Sequence, residues 1–367
     1  MGSDPGPGTA TSTRWPGRRT GPLTDGLFVQ ASTKDLPDVA ELSGREGSGL
    51  VLTGPDALDG ALAALEHYKI ARPVLVDRRR YATDKRVRGT EPFCQRWLRK
   101  QRQLGTAAVL TDSGYIGQGD LAALTAVLGQ TARYIDREGT PAGGVWAVLP
   151  LHRRWLREDR SLLIAQIKAY GVPVALVLEH EADPLGTRVA VEGLVEVLDG
   201  PVPTALLSTD VSALGALAYG AVWTAVGMRS SLRHLYPVTP FKRHGSPSAL
   251  LDPVLTITSI AKILRVYADA SDELIWRCPC PVCEGRELAW LGTIPPGMVA
   301  AEAGRHTLAA LLERREELAW LSPGERRRIW WHFRCSDALW LYDALGLVDR
   351  YQWQKPGFLK SWLALHP

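Results

Sequence analysis

Residues 173–226 read PVALVLEHEADPLGTRVAVEGLVEVLDGPVPTALLSTDVSALGALAYGAVWTAV. Three short apolar runs, Pro173–Leu178, Thr204–Ser208 and Val222–Val226, alternate with Val189–Leu198 and Val211–Tyr219, whose apolar residues recur at helical spacing. The same alternation extends upstream. Leu27–Ala31, Leu50–Thr53, Pro73–Asp77, Ala107–Thr111 and Val145–Leu149 read as strands, and Asp56–Tyr68, Asp120–Tyr134 and Arg160–Tyr170 as helices. Eight strand–helix alternations over about 200 residues predict an α/β fold, a parallel (β/α)8 TIM-type barrel spanning residues 26–245. An open doubly wound sheet is the competitor. No glycine-rich phosphate fingerprint follows the first strand, which weakens its dinucleotide-binding form.

The chain has 367 residues, 46% of them hydrophobic, enough for a sizeable core. No run approaches eighteen apolar residues, so no membrane span is expected. Residues 1–25, rich in Gly, Pro, Thr and Arg, lack the apolar block of a signal peptide and read as a disordered tail. The formal charge is only +4, but it is unevenly placed. Ten Lys/Arg lie between Arg78 and Arg102 against Asp84 and Glu91, and the stretch Arg229–His244 has no acid. Arg78, Arg79, Arg80, Arg229, Arg233, Lys242 and Arg243 are therefore candidate contacts to a polyanion such as nucleic acid. Solvated faces are the plain alternative.

Beyond Gly227 the character changes. Residues 246–322, with a helical pattern at Thr258–Ala268, read as a metal-binding subdomain, and residues 323–367 as a helical extension. Eight of the 13 tryptophans follow residue 270, which suits contacts between helices better than a stacking platform for bases. Five cysteines are too few for a disulfide scaffold, and three crowd into Cys278-Pro-Cys280-Pro-Val-Cys283. That grouping fits a metal site in a reducing, cytoplasmic setting. With His306 it gives Cys3His, a ligand set that suits one closed, structural Zn2+ per chain. His332 or Cys335 are alternative fourth ligands; Thr307–Leu318 reads as a helix that presents His306 from its first turn.

Leu110-Thr111-Asp112-Ser113-Gly114-Tyr115 ends the fourth strand. A carboxylate just past a barrel strand stands over the mouth where barrel enzymes do their chemistry. Ser113 and Gly114 permit a tight turn whose N–H groups face a ligand. Asp77, His152, Glu179, His180 and Asp210 also fall at strand ends and share the mouth if the barrel forms.

Together, the Asp112 turn and the cysteine cluster resemble the tRNA-guanine transglycosylase family, including relatives that insert 7-deazaguanines into DNA. Members are (β/α)8 barrels with a Leu-Thr-Asp-Ser-Gly-Gly turn and a zinc subdomain built as Cys-x-Cys-x-x-Cys…His after the last strand. The resemblance covers most of residues 26–320, with counterparts at Leu110–Gly114 and at Cys278, Cys280, Cys283 and His306. It departs at three places. The family's nucleophilic aspartate belongs to the last strand, where residues 220–229 read GAVWTAVGMR and hold no carboxylate. Tyr115 replaces the second glycine of the turn, and Leu149-Pro150 stands where the family has Gln-Gly for base recognition.

The resemblance implies base exchange of the guanine or 7-deazaguanine class on tRNA or DNA. Catalysis would fall to Asp112 with Asp77 or Asp210, and base contacts to Ser113, Gly114 and Glu179. Carboxylates suit this reaction because base exchange at C1′ passes through oxocarbenium-like charge and needs an acid for the departing base. The alternative is an inactive transglycosylase-like module that docks nucleic acid or a partner subunit; a homodimer is also open. A hydrolase or lyase of unrelated substrate is a third, weaker reading.

Overall fold

The computed structural model describes residues 23–239 and 245–367. Lys242, Arg243 and residues 1–22 of the expected tail lie outside the described residues. Eight strands form one parallel sheet: β1 (Gly26–Ser32), β2 (Leu50–Thr53), β3 (Val74–Asp77), β4 (Val109–Leu110), β5 (Val145–His152), β6 (Val174–Glu179), β7 (Thr204–Thr209) and β8 (Trp223–Gly227). Their spatial order is β3-β2-β1-β8-β7-β6-β5-β4. Ala107 N–H donates to Val74 O at 2.9 Å and brings the two edges together. The fold is a (β/α)8 barrel.

Side chains alternate across each strand, so every second residue points inward. Phe28, Leu75, Leu110, Trp146, Val148, Ala175, Val177, Ala205, Leu207, Trp223 and Ala225 pack together as the barrel interior. Phe28 stacks on Trp223 and Trp146 meets Trp223 edge-on, at centroid distances of 5.4 and 5.3 Å. Three rings thus fill the N-terminal half. Further along the same inward parity, at the mouth, come Gln30, Asp77, Asp112, His152 and Glu179, the last two level in register; on β8 the equivalent position is Gly227.

Helices Leu36–Ser43, Ala57–Glu66, Gln95–Leu104, Leu121–Glu138, Arg160–Tyr170, Arg188–Leu198 and Ser212–Ala218 follow β1 to β7 in turn. The eighth is Pro296–Ala319, which packs on β1, Leu36–Ser43 and Ser212–Ala218. Residues 228–295 are therefore inserted between β8 and its helix. They carry an antiparallel hairpin, β9 (Ser248–Leu251) with β10 (Thr256–Ser259), then helix Ile260–Asp269 and the cysteines. Thr258 is a strand residue, and the helix after it begins only at Ile260, where Ser259 Oγ accepts from Lys262 N–H.

The helix expected at Thr307 starts eleven residues earlier, at Pro296. Pro296 is tolerated in its first turn, where an N–H would be orphaned anyway. His306 consequently sits in mid-helix. Leu23 is buried with the barrel interior, and Arg327 Nη2 donates to Asp25 Oδ2 at 2.8 Å, so residues 23–25 belong to the fold and not to the tail. Helices Glu325–Ala344, Leu347–Tyr351 and Gly357–Leu363 complete the chain. Trp331, Phe358 and Trp362 pack into the same continuous core as the barrel's outer layer. No helix among the described residues is long and apolar enough to cross a membrane.

Candidate functional site at the barrel mouth

Asp112 follows β4 and is fully buried. Arg78 Nη1 and Arg80 Nη1 each donate to its Oδ2 at 3.1 Å, and Cys94 N–H donates to Oδ1 at 3.0 Å. Asp77, at the end of β3, accepts from Tyr81 O–H and from Arg79 N–H. Burial raises its pKa against those two bonds, and the nearby charge of Asp112 pushes the same way. Glu179, at the end of β6, accepts from Arg86 at 2.5 Å and from Tyr115 O–H. The Arg86 guanidinium lies 3.6 Å from the Tyr115 ring centroid. The tyrosine that departs from the family turn thus closes a Glu179–Tyr115–Arg86 group that sequence reasoning had not assembled.

The turn itself is built by packing. Tyr115 N–H donates to Val87 O at 2.7 Å, and Gly89 N–H returns to Tyr115 O at 2.8 Å. This pairing presses Gly114 onto the Arg88 backbone: a Cβ there would lie 2.1 Å from Arg88 O. Ser113 Oγ bonds Thr111 Oγ1, which in turn accepts from Val148 N–H.

Asp210 is not part of this group. The register slips between Leu206 and Thr209, and Ser208 takes a φ of +53° held by paired bonds to Gln30. Asp210 then faces Asp183 and the enclosed Arg233 across a gap of about 20 Å3, and on their other side both acids border an open cavity of about 690 Å3 with Arg153 and His180. Burial, then the charge of Asp210, pushes the Asp183 carboxyl up to about 7. Burial also raises Asp210, opposed by Ser212 N–H and Arg233. His152 and His180 are both held below the usual histidine range, first by burial.

The basic residues divide. Arg78 and Arg80 are spent on Asp112, Arg79 donates to Ser231 O at 2.8 Å, and Arg229 pairs with Asp35. Arg233 is 8% exposed, its guanidinium pointing at Gly227 O, Met228 O and Ser248 Oγ. Its charge braces the segment after β8 and is not offered to solvent. Arg96, Arg99 and Lys100 on helix Gln95–Leu104 are exposed and make no ion pair among the described residues. A cavity of about 870 Å3, lined by Arg79, Thr83, Ser230, Ser231, Tyr236 and Thr239, opens on the β8 side of the mouth. Leu235 forms its floor: its N–H and C=O bond to Leu178 and His180, and its side chain joins the barrel interior.

The metal group is separate and closed. One ligand atom from each of Cys278, Cys280, Cys283 and His306 lies within 4.8 Å of all the others, and all four residues are buried. His306 Nδ1 is 3.2 Å from Cys283 Sγ. Its Nε2 stands 2.8 Å from Leu250 O, and since a carbonyl only accepts, the proton is on Nε2 and Nδ1 faces the sulfurs. Metal-binding histidines are commonly oriented in this way. Trp290 Nε1–H donates to Cys283 Sγ at 3.2 Å. The alternatives are engaged elsewhere: His332 bonds Tyr219 O–H, and Cys335 is buried in the helical core. The donor set is that of a four-coordinate metal ion.

No protein-family model and no curated protein matches the chain. Its chemistry has to be argued from the mouth and the metal group. The mouth sets a carboxyl biased toward its neutral form, Asp77, next to a carboxylate flanked by two guanidiniums, Asp112. Divergent environments of that kind are how one site supplies an acid and a base. Asp183 is a residue that the sequence did not single out, and what pairs it with Asp210 is the register slip in β7.

Proposed function

We propose that this chain is a transglycosylase-like, cytoplasmic protein that exchanges a guanine-class or 7-deazaguanine base in tRNA or DNA at the barrel mouth. The observation that carries the reading is the pairing of Asp77 with Asp112 at the mouth, in a chain that also carries, separately, a buried Cys3His group in the insertion between β8 and its helix. In this reading Asp112 stabilises or attacks the C1′ centre, and Asp77 protonates the departing base. Arg78 and Arg80 must leave Asp112 when the nucleotide enters, their guanidiniums then being free for phosphate. Ser113, Gly114 and Glu179 would border the base, flipped out of its stack. Cys278, Cys280, Cys283 and His306 would hold one Zn2+, which braces the insertion and takes no part in the reaction.

A second reading is favoured by a specific observation: each mouth carboxylate is already matched to an internal donor, and β8 offers only Gly227. That describes a noncatalytic module that docks nucleic acid, with Arg96, Arg99 and Lys100 as unspent cations. One experiment separates them. Labelled guanine or 7-deazaguanine is incubated with mixed tRNA or duplex DNA, and incorporation and binding are both counted. Base exchange that falls at least about 10²-fold in Asp112→Asn, with binding kept, supports the enzyme. Full activity in Asp112→Asn removes this mechanism, and binding without incorporation by the unsubstituted protein supports the module.

A further inference from the structure

Helix Glu325–Ala344 has two faces of opposite kind. Arg327, Trp331, Cys335, Ala338 and Tyr342 are buried beneath it. Half a turn away, Arg326, Ile329, Phe333, Ser336, Trp340 and Asp343 follow one another at steps of three and four residues. That is the spacing of a coiled-coil seam. Phe333 is 65% exposed and Trp340 68%, on a face where a solvated helix would carry charge.

The seam reads well against itself when reversed. Arg326 and Asp343, Ile329 and Trp340, and Phe333 and Ser336 are each placed symmetrically about its midpoint. We propose that the chain forms a two-fold homodimer in which this helix packs antiparallel on the same helix of a second copy. Across the axis Arg326 faces the partner's Asp343, Ile329 the partner's Trp340, and Phe333 the partner's Ser336. Each large ring meets a smaller side chain, and both ends of the seam close on opposite charges, twice by symmetry. Asp343 Oδ1 already holds Lys355, leaving Oδ2 for the partner, and Arg326 makes no ion pair among the described residues. A parallel pairing would instead set Arg326 on Arg326 and ring on ring. The acids Asp337 and Asp343 on this face oppose a nucleic-acid occupant.

One helix pair buries less than the roughly 800 Å2 per partner of a standard interface, so association is concentration-dependent. Sedimentation equilibrium of the full chain should show mass rising from 40.2 kDa toward twice that value by about 100 µM. Trp340→Glu should weaken association at least about 10-fold, with circular dichroism and metal content unchanged because the position is exposed. Arg326→Asp should weaken it about 5-fold, and adding Asp343→Arg should recover most of the loss. A monomer throughout that range overturns the proposal, as does a dimer indifferent to Trp340→Glu. Failure of the charge swap to recover association overturns the antiparallel arrangement, and so does nucleic-acid binding lost with Trp340→Glu in a protein that stays monomeric.

Discussion

A missing methyl group at residue 114 sets how the mouth is assembled. The turn after β4 touches the Arg88 backbone so closely that a side chain there must displace backbone, with no flexible group to yield. The glycine that the sequence offers as a ligand-facing turn is thereby explained by packing, and Ser113 by its bond to Thr111. Gly114→Ala should cost at least about 2 kcal/mol of stability, as overpacking of a rigid contact does. Gly117→Ala is the control, since its nearest contact would be an ordinary 3.7 Å. Urea denaturation of the two variants checks this. Equal midpoints would show that the Arg88 contact is loose in solution. Asp112 belongs to the same scale: its place at the mouth was legible from its position at the end of the fourth strand, but its two arginine partners were not, because Arg78 and Arg80 read as outward-facing polyanion contacts until the loop is folded back.

Among elements, what the sequence revealed follows from how strongly each segment is patterned. All eight strands were legible because their apolar runs are short, β-rich and separated by helical spacing. Helix Gln95–Leu104 was not, since only Trp97, Leu98 and Leu104 in QRWLRKQRQL are apolar and the rest reads as charge. Helix Leu36–Ser43 begins with Leu36-Pro37, which looks like a break unless the proline is known to sit in a first turn. The three cysteines of the metal group were legible from their spacing, and His306 was preferred to His332 and Cys335 through the helix it was expected to begin. The place of the group was not legible, because nothing local says that Pro296–Ala319 closes the barrel ring. That placement has a consequence: His306 shares one helix with Thr307, whose Oγ1 accepts from Leu250 N–H, and with residues packed on β1. Metal loss should therefore loosen the barrel as well as the insertion. His306→Ala, or removal of the metal by a strong chelator, is expected to lower unfolding free energy by more than about 3 kcal/mol. An apo protein with an unchanged unfolding midpoint would rule out a structural metal.

For the molecule as a whole, the half-buried pair Asp183 and Asp210 makes stability depend on pH in an unusual direction. Most paired carboxylates have lowered pKa values, so stability rises as they ionise. Asp183 is the reverse: burial and Asp210 hold its carboxyl near 7, against 3.8 when exposed. Between those values the folded state binds more protons than the unfolded state, so this group's contribution is present at low pH and lost as pH rises toward 7. Asp210, raised by burial, acts in the same sense. His152 and His180 act oppositely, since their lowered values mean that the unfolded chain takes up protons first as pH falls below 6.5. The raw pH profile therefore mixes both, and the difference between the native protein and Asp183→Asn isolates the acid. The asparagine keeps the shape, removes the ionisation and relieves Asp210 of a like-charged neighbour. Asp183→Asn should thus gain stability relative to the native protein as pH is raised from 5 to 8, read as a growing gap between denaturant midpoints. A gap constant across that range would mean that Asp183 is ionised throughout and that the space between β6 and β7 admits enough water to solvate both charges.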